Sequence, residues 1–579
     1  GIFLSFFAHL NIKLSTILIT FTLFLNLSGF FFYILTNNNV NGLMTVGRNS
    51  VLSLGTDDTG KAEQAFAESE LTWGKTGVSA ALYIDQAQKL QVQGGILLDG
   101  TKTAASAEAN KASFADGSLL IVNGSGIGTS GTAALTGGSG STLTVNQGAK
   151  LYLTSTNAGT YTIAKGFANT TIDGWSWSAD AAAVDVSVNK LSEIEEIEKN
   201  TADGDFTVTV RQTDVQKKYD GIALPNILQA MDQSRTEYAG IKYLTDLAND
   251  NKLDKEGFIA AVNSFAQGAE NSGATRTGAL AALDLGTAVQ EHLSLAKAAA
   301  EQSGGFGKAA VDTADNGGIW AQYIHNKDKV DNMGGVSYDG QYNGVIIGGD
   351  FADRGKYSSG IAFSYGSGDS TGSASKNEFD FWGLSYYGGI QNGDTNLIFD
   401  VGYSKTSSDV KGVIKAEPDT QVISMGIKGE KVISNGHGTS YVPYAGLRYM
   451  NIDTDSYNGS IDGKTAAHYS TDKADLWLLP VGISISHESV TAGGWKVRPT
   501  ADIAYVWTLG DKNTAMDITV PGVNATDRLG YDIMDSGFFV GKLGLEAEKG
   551  DWTYGLGYAC QKGSHAQNSK FMLNVTYSF

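Results

Sequence analysis

Over residues 317–579 apolar and polar positions alternate, and clusters of Gly, Asp, Asn and Ser interrupt the alternation at short intervals. A period of two predicts β-strands with one apolar face. Strands are expected near 319–325, 342–351, 359–366, 379–388, 396–405 and 420–430. Six more follow near 441–451, 474–486, 495–507, 537–548, 552–561 and 570–579. About twelve strands is an even number, as bacterial outer-membrane barrels require, and closure would remove the exposed edges of so wide a sheet. The reading for 317–579 is therefore a 12-stranded transmembrane antiparallel β-barrel.

Face chemistry separates a membrane barrel from a soluble sandwich. In "WKVRPTADIAYVW" one face carries Trp495, Val497, Pro499, Ala501, Ile503, Tyr505 and Trp507, and the other Lys496, Arg498, Thr500, Asp502 and Ala504. An apolar face with an aromatic at each end suits a lipid-facing strand crossing two interfaces. By the same reasoning Trp320, Trp382, Trp477, Trp495, Trp507 and Trp552 are expected at the interfacial girdles. Asp400, Arg448, Arg498, Asp502, Lys542 and Glu546 are expected to face the lumen, where mixed charges can pair around a buried segment. The last strand, "SKFMLNVTYSF", sets Phe571, Leu573, Val575, Tyr577 and Phe579 on one apolar stripe.

Upstream the pattern changes. Residues 216–316 carry helical periodicity, with Asp254 as an N-cap candidate. Within them, residues 275–302 are alanine-rich, with Leu280, Leu283, Val289 and Leu293 near one face. As a helix this run would reach ~40 Å at 1.5 Å per residue, and its small side chains would fit a confined passage.

Residues 42–215 read as short apolar runs between Gly, Asn and Asp turns, such as "GGILLDG", "DGSLLIVNG" and "GSTLTVNQG", recurring at roughly 20–25 residues. A short right-handed β-solenoid is expected, with a β-sandwich as the alternative. Residues 1–41 hold an uncharged run, 14–35, that is long enough to cross a bilayer. It reads as an export signal or anchor, or as an artefact of a chain starting at Gly1 rather than Met.

Composition narrows the function classes. Across 579 residues, charged side chains make up only 18% and aromatics 10%, with 73 Gly and 6 Pro, which suits many strands and tight turns. The formal charge is −19, and a surface of that sign repels phosphates, so no nucleic-acid partner is expected. Cys560 is the single cysteine, which rules out an intrachain disulfide.

No His or Cys lies between Gly42 and Glu291, so a His- or Cys-based catalytic site cannot form within the N-terminal β region. "NGSGIGTSG" lacks dinucleotide-binding spacing and reads as a loop. No cofactor and no metal site is expected. Asp99, Asp116, Asp173 and Asp180 fit ordinary turns, though a glycosidase-type carboxylate pair stays open as an alternative.

Several blocks of the C-terminal half resemble the β-domain of classical (monomeric, type Va) autotransporters. They are "GGIWAQYIHNKDKVDN", "YDGQYNGVIIGGDF", "FDFWGLSYYGGI", "VPYAGLRYMNID" and the aromatic C-terminus. The resemblance covers about the last 260 residues. It implies a barrel in the bacterial outer membrane, a helix in its pore, and an N-terminal passenger carried to the cell surface. It also implies that Phe571, Leu573, Val575, Tyr577 and Phe579 form the signal read by the barrel-assembly machinery. The expected partners are outer-membrane lipid, that machinery and a surface ligand, around a monomeric barrel. An adhesin-like passenger is the leading expectation. A carboxylate-based surface hydrolase and a plugged channel are the alternatives, and passenger cleavage is left open.

Overall fold

The computed structural model describes residues 111–578 apart from 128–132, 138–139, 180–184, 201–204, 296–317, 352–355 and 436–437. It also gives the backbone of eight short strands between Asn26 and Leu98. Most of the 1–41 segment and the final Phe579 lie outside the described residues. The chain forms two compact units, and the helical connector is divided between them. One unit comprises Gly1–Asp220, Met231–Thr236 and Lys242–Phe258, the other Gly221–Ala230, Glu237–Ile241 and Ile259–Phe579.

The first unit is built from three six-stranded sheets, parallel except at one end. The chain visits them in rotation. Lys111–Phe114 lies in the first sheet, Ser118–Asn123 in the second and Leu135–Gly137 in the third. Thr142–Val145, Lys150–Thr154 and Gly159–Lys165 repeat the circuit. This is the topology of a three-faced solenoid.

Leu119 faces Lys150 and Lys111 faces Thr142, so these coils stack at a step of 31 residues. The shorter spacing in the sequence connects runs on different faces. Leu120, Val122, Leu143, Val145, Leu151 and Leu153 point inward and form a continuous core with Phe114, Trp175 and Phe206. Chain direction reverses at the end. Ser192–Asn200 pairs antiparallel with Asp205–Gln212, which pairs antiparallel with Gly159–Lys165.

The second unit contains the barrel. Its strands are β1 Gly318–Met333, β2 Val336–Asp350, β3 Tyr357–Gly372, β4 Ser375–Asn392, β5 Thr395–Gly412 and β6 Asp419–Lys431. They continue as β7 Thr439–Thr454, β8 Ala474–His487, β9 Lys496–Gly510, β10 Gly537–Lys549, β11 Trp552–Lys562 and β12 Ala566–Ser578. All twelve expected strands are present. Each pairs antiparallel with the next, and β1 pairs with β12 from Gly318↔Ser578 to Val330↔Ala566. No barrel edge is left open, as lipid demands of a backbone that cannot hydrogen-bond to water.

The two faces differ as the alternation requires. Val345, Ile347, Phe363, Leu384, Met425, Ile503 and Leu573 are exposed on the outside, while Ser364, Ser385, Ser404 and Thr406 are buried on the inside. The ends differ too. At the end holding Gly318 and Ser578, turns are short, such as 393–394 and 550–551. At the other end, 455–473 and 511–536 form a four-stranded antiparallel sheet, from Tyr457–Ile461, Lys464–Thr471, Asn513–Thr519 and Thr526–Asp532. Outer-membrane barrels carry short turns on the periplasmic side and long loops outside, so this sheet marks the outer end.

Candidate functional site

The site is the lumen, and a helix occupies it. Ala274–His292 runs inside the barrel with residues 274–286 buried. The described helix ends at His292 and 293–295 form a turn; residues 296–302 of the expected helix, 275–302, lie outside the described residues. Small residues let the helix approach the wall. A Cβ on Gly278 would press on Thr420, and one on Gly286 would overlap the guanidinium of Arg448. Leu285, Ala288, Val289 and Leu293 supply the apolar contacts, with Ile346, Ala362 and Ile398 of β2, β3 and β5.

Polar side chains fix the helix at successive depths. Nearest the outer end, Arg276 pairs with Asp328 of β1 at 2.9 and 3.1 Å and donates to the Ile533 carbonyl at 2.8 Å. Midway, Asp284 accepts from Tyr342 at 2.6 Å and Asn326 at 3.2 Å, and pairs with Lys570. Below, Gln290 donates to Asp400 at 2.7 Å, and Glu291 pairs with Lys542. His292 meets Asp350 at 2.9 Å and stacks on Trp320 at 4.7 Å. Past the helix, Ser294 donates to Glu430 at 2.7 Å, and Asn396 donates to the Leu293 carbonyl at 2.9 Å. A buried charge left alone costs several kcal/mol, so each of these pairs specifies one depth and rotation for the helix.

The helix does not fill the lumen. A cavity of about 210 Å³ lies beside it, lined by Leu478, Val506, Phe538, Lys542 and Met572 of β8, β9, β10 and β12.

All six expected lumen charges face inward. Asp400 and Arg448 form a bidentate pair at 2.8 and 2.9 Å. Arg498 reaches Glu488 at 2.7 Å and Glu546 at 3.3 Å. Asp502 accepts from Tyr444 at 3.0 Å and from Ser484, and Lys542 meets the helix. Trp382, Trp477, Trp507 and Trp552 are exposed on the outer face, and Trp495 is half-buried beside Tyr554. Trp382, Trp477 and Trp507 lie toward the outer end of their strands, Trp495 and Trp552 at the opposite end.

Trp320 corrects the expectation. It is not interfacial: it points into the lumen and donates to the Tyr387 hydroxyl at 2.8 Å. Ile319 and Tyr323 take the outward positions of β1, and pleat parity sends Trp320 inward with Ile324. Phe571, Leu573 and Val575 are exposed on the outer face, and Tyr577 is half-exposed.

Arg276, Asp284 and His292 anchor the helix in the lumen, and no motif in the sequence marks them. The available signal was isolated charge within an alanine-rich run, since a buried charge needs a partner. The loop sheet also went unread, although Asp462–Gly463 is the sequence mark of a tight hairpin turn, and both residues have positive φ, 50° and 74°.

The architecture defines an outer-membrane β-barrel closed around a helix of its own chain. Residues 319–559 match the family model for the autotransporter β-domain. That match covers the barrel, which is an autotransporter β-domain of the outer membrane. Similar solved structures include the translocator domain of the autotransporter NalP from Neisseria meningitidis, 15% identical over 52% of this chain and 96% of that one, with a TM-score of 0.39. The β domain of the Bordetella autotransporter BrkA is 17% identical over 45% and 99%, TM-score 0.37. The transport unit of AIDA-I from Escherichia coli is 14% identical over 53% and 99%, TM-score 0.36. A search of curated proteins returned no match.

Proposed function

We propose that the barrel supports translocation of the solenoid unit and its display at the cell surface as a non-enzymatic, adhesin-like interaction module. The observation that carries this reading is the direction of the lumen helix. Ala274 lies at the end with the long loops and His292 at the end with the short turns, so the preceding chain leaves on the outer side. Asp527 of the loop sheet accepts from the backbone of Asn226 and Ile227 at 3.2 and 2.8 Å, and Tyr469 donates to the Phe265 carbonyl at 2.6 Å. These contacts hold the emerging chain at the outer mouth.

A binding role fits better than a hydrolase. Among the described residues of the solenoid, Asp185 accepts from the Ser176 hydroxyl at 2.6 Å, Asp205 from the Gly166 amide at 3.3 Å, and Glu193 pairs with Arg211 at 2.7 Å. The outward stripe of β12 is read here as the surface recognised by the barrel-assembly machinery, and the barrel works as a monomer.

Protease treatment of intact cells tests display. Digestion within residues 111–215 while the outer membrane stays sealed is the expected result, and protection of that region rules display out.

A further inference from the structure

We infer that Asp284 of the lumen helix staples the seam where the barrel closes, so that β1 and β12 stay zipped only while the helix is seated. This inference rests on the helix occupying the barrel, and is independent of what the solenoid unit does.

The seam differs from every other strand pair. Eleven pairings join neighbours in sequence, while β1 and β12 bring together residues more than 200 positions apart, as in Trp320↔Thr576. Loop-closure entropy makes that the most costly pairing to form and the natural place for the barrel to open. A buried polar chain crosses it on the inside. Asn568 of β12 donates to Asn326 of β1 at 2.6 Å, and Asn326 donates to Tyr342 of β2 at 2.7 Å.

The helix completes this chain. One oxygen of Asp284 pairs with Lys570 of β12, and the other accepts from Asn326 of β1 and Tyr342 of β2. A single carboxylate therefore binds three strands spanning the seam. Asp284, Asn326, Asn568 and Lys570 are all buried, so withdrawing the helix leaves the lysine without this partner and the amide chain without its acceptor. Arg276 adds a second tie one level up, through Asp328, which also lies 3.5 Å from Asn568.

Hydrogen exchange on the full chain in detergent micelles tests the staple. Asp284→Ala and Lys570→Met should each speed exchange of β1 and β12 amides on the order of tenfold, leaving β4 and β5 unchanged. Lys376→Met, which cuts an exposed pair with Glu378 within β4, away from helix and seam, should leave the seam as it was. Unchanged seam exchange, or an equal rise around the whole barrel, overturns the inference.

If Asp284→Ala does not fold, a seam disulfide decides the matter. Ala321→Cys with Val575→Cys, register partners across the seam, is introduced in a Cys560→Ser background and oxidised. Recovery of the folded barrel supports the staple. Failure to recover, with the disulfide formed, overturns it.

Discussion

The guanidinium of Arg448 occupies the space that a side chain on Gly286 would need. That guanidinium is not free to swing aside, because Asp400 grips it with two hydrogen bonds. Gly286→Ala would gain about 1 kcal/mol of helix propensity and forfeit more by displacing a buried ion pair. The expected net is a helix held more loosely by roughly 2 kcal/mol. Faster hydrogen exchange across 274–292, with the amides of β3 and β4 unchanged, is the measurement.

The Asp400–Arg448 pair itself should behave as a unit. Arg448→Met leaves a buried carboxylate with Gln290 as its remaining side-chain partner, at an expected cost of about 3–5 kcal/mol. Replacing both with Asp400→Leu and Arg448→Met should cost much less than the two single changes added. A double-mutant cycle on thermal unfolding in micelles reads the coupling, and additivity would contradict a desolvated pair.

Glu270 sits beyond the lipid belt, buried at the outer mouth, and burial pushes its carboxyl up to about 7 against bonds from Thr275. Because the folded value exceeds the ordinary 4.5, its contribution to stability is complete below pH 4.5 and lost as pH rises to about 7. The docking of 268–272 should weaken by roughly 3 kcal/mol across that window and change little above it. Glu270→Gln should flatten the dependence. Limited proteolysis of this segment between pH 5 and pH 8 distinguishes the two.

Trp320 and Trp507 should answer differently to lipid. With one tryptophan retained at a time, brominated acyl chains should quench Trp507 strongly and Trp320 weakly, since Trp320 packs on His292 in the lumen. Equal quenching would place Trp320 on the outside.

The barrel was legible because lipid writes on the sequence. Every second residue from Ile503 to Trp507 meets hydrocarbon or an interface, and that period survives without any knowledge of partners. Trp320 is of an interfacial residue type, yet pleat parity decides its face, and Ile319 beside it carries the outward phase. The lumen charges were legible as inward, but their pairings were not, since Arg448 and Asp400 meet across two intervening sheet pairings rather than along the chain. Coil stacking in the solenoid was legible in kind but not in step. Leu120 and Leu151 occupy equivalent positions, yet nothing in either run distinguishes one face from the next.

The reversed hairpin at Ser192–Gln212 has a consequence for how such a chain can evolve. A parallel coil offers its end as a template for another coil, whether from the same chain or a neighbouring copy. The hairpin terminates that series in the third sheet, where the strands run antiparallel, and a further coil would need all three sheets. Duplication or loss of whole coils is then confined to the upstream side. The solenoid can change its length and its surface chemistry while the reversed hairpin is inherited intact.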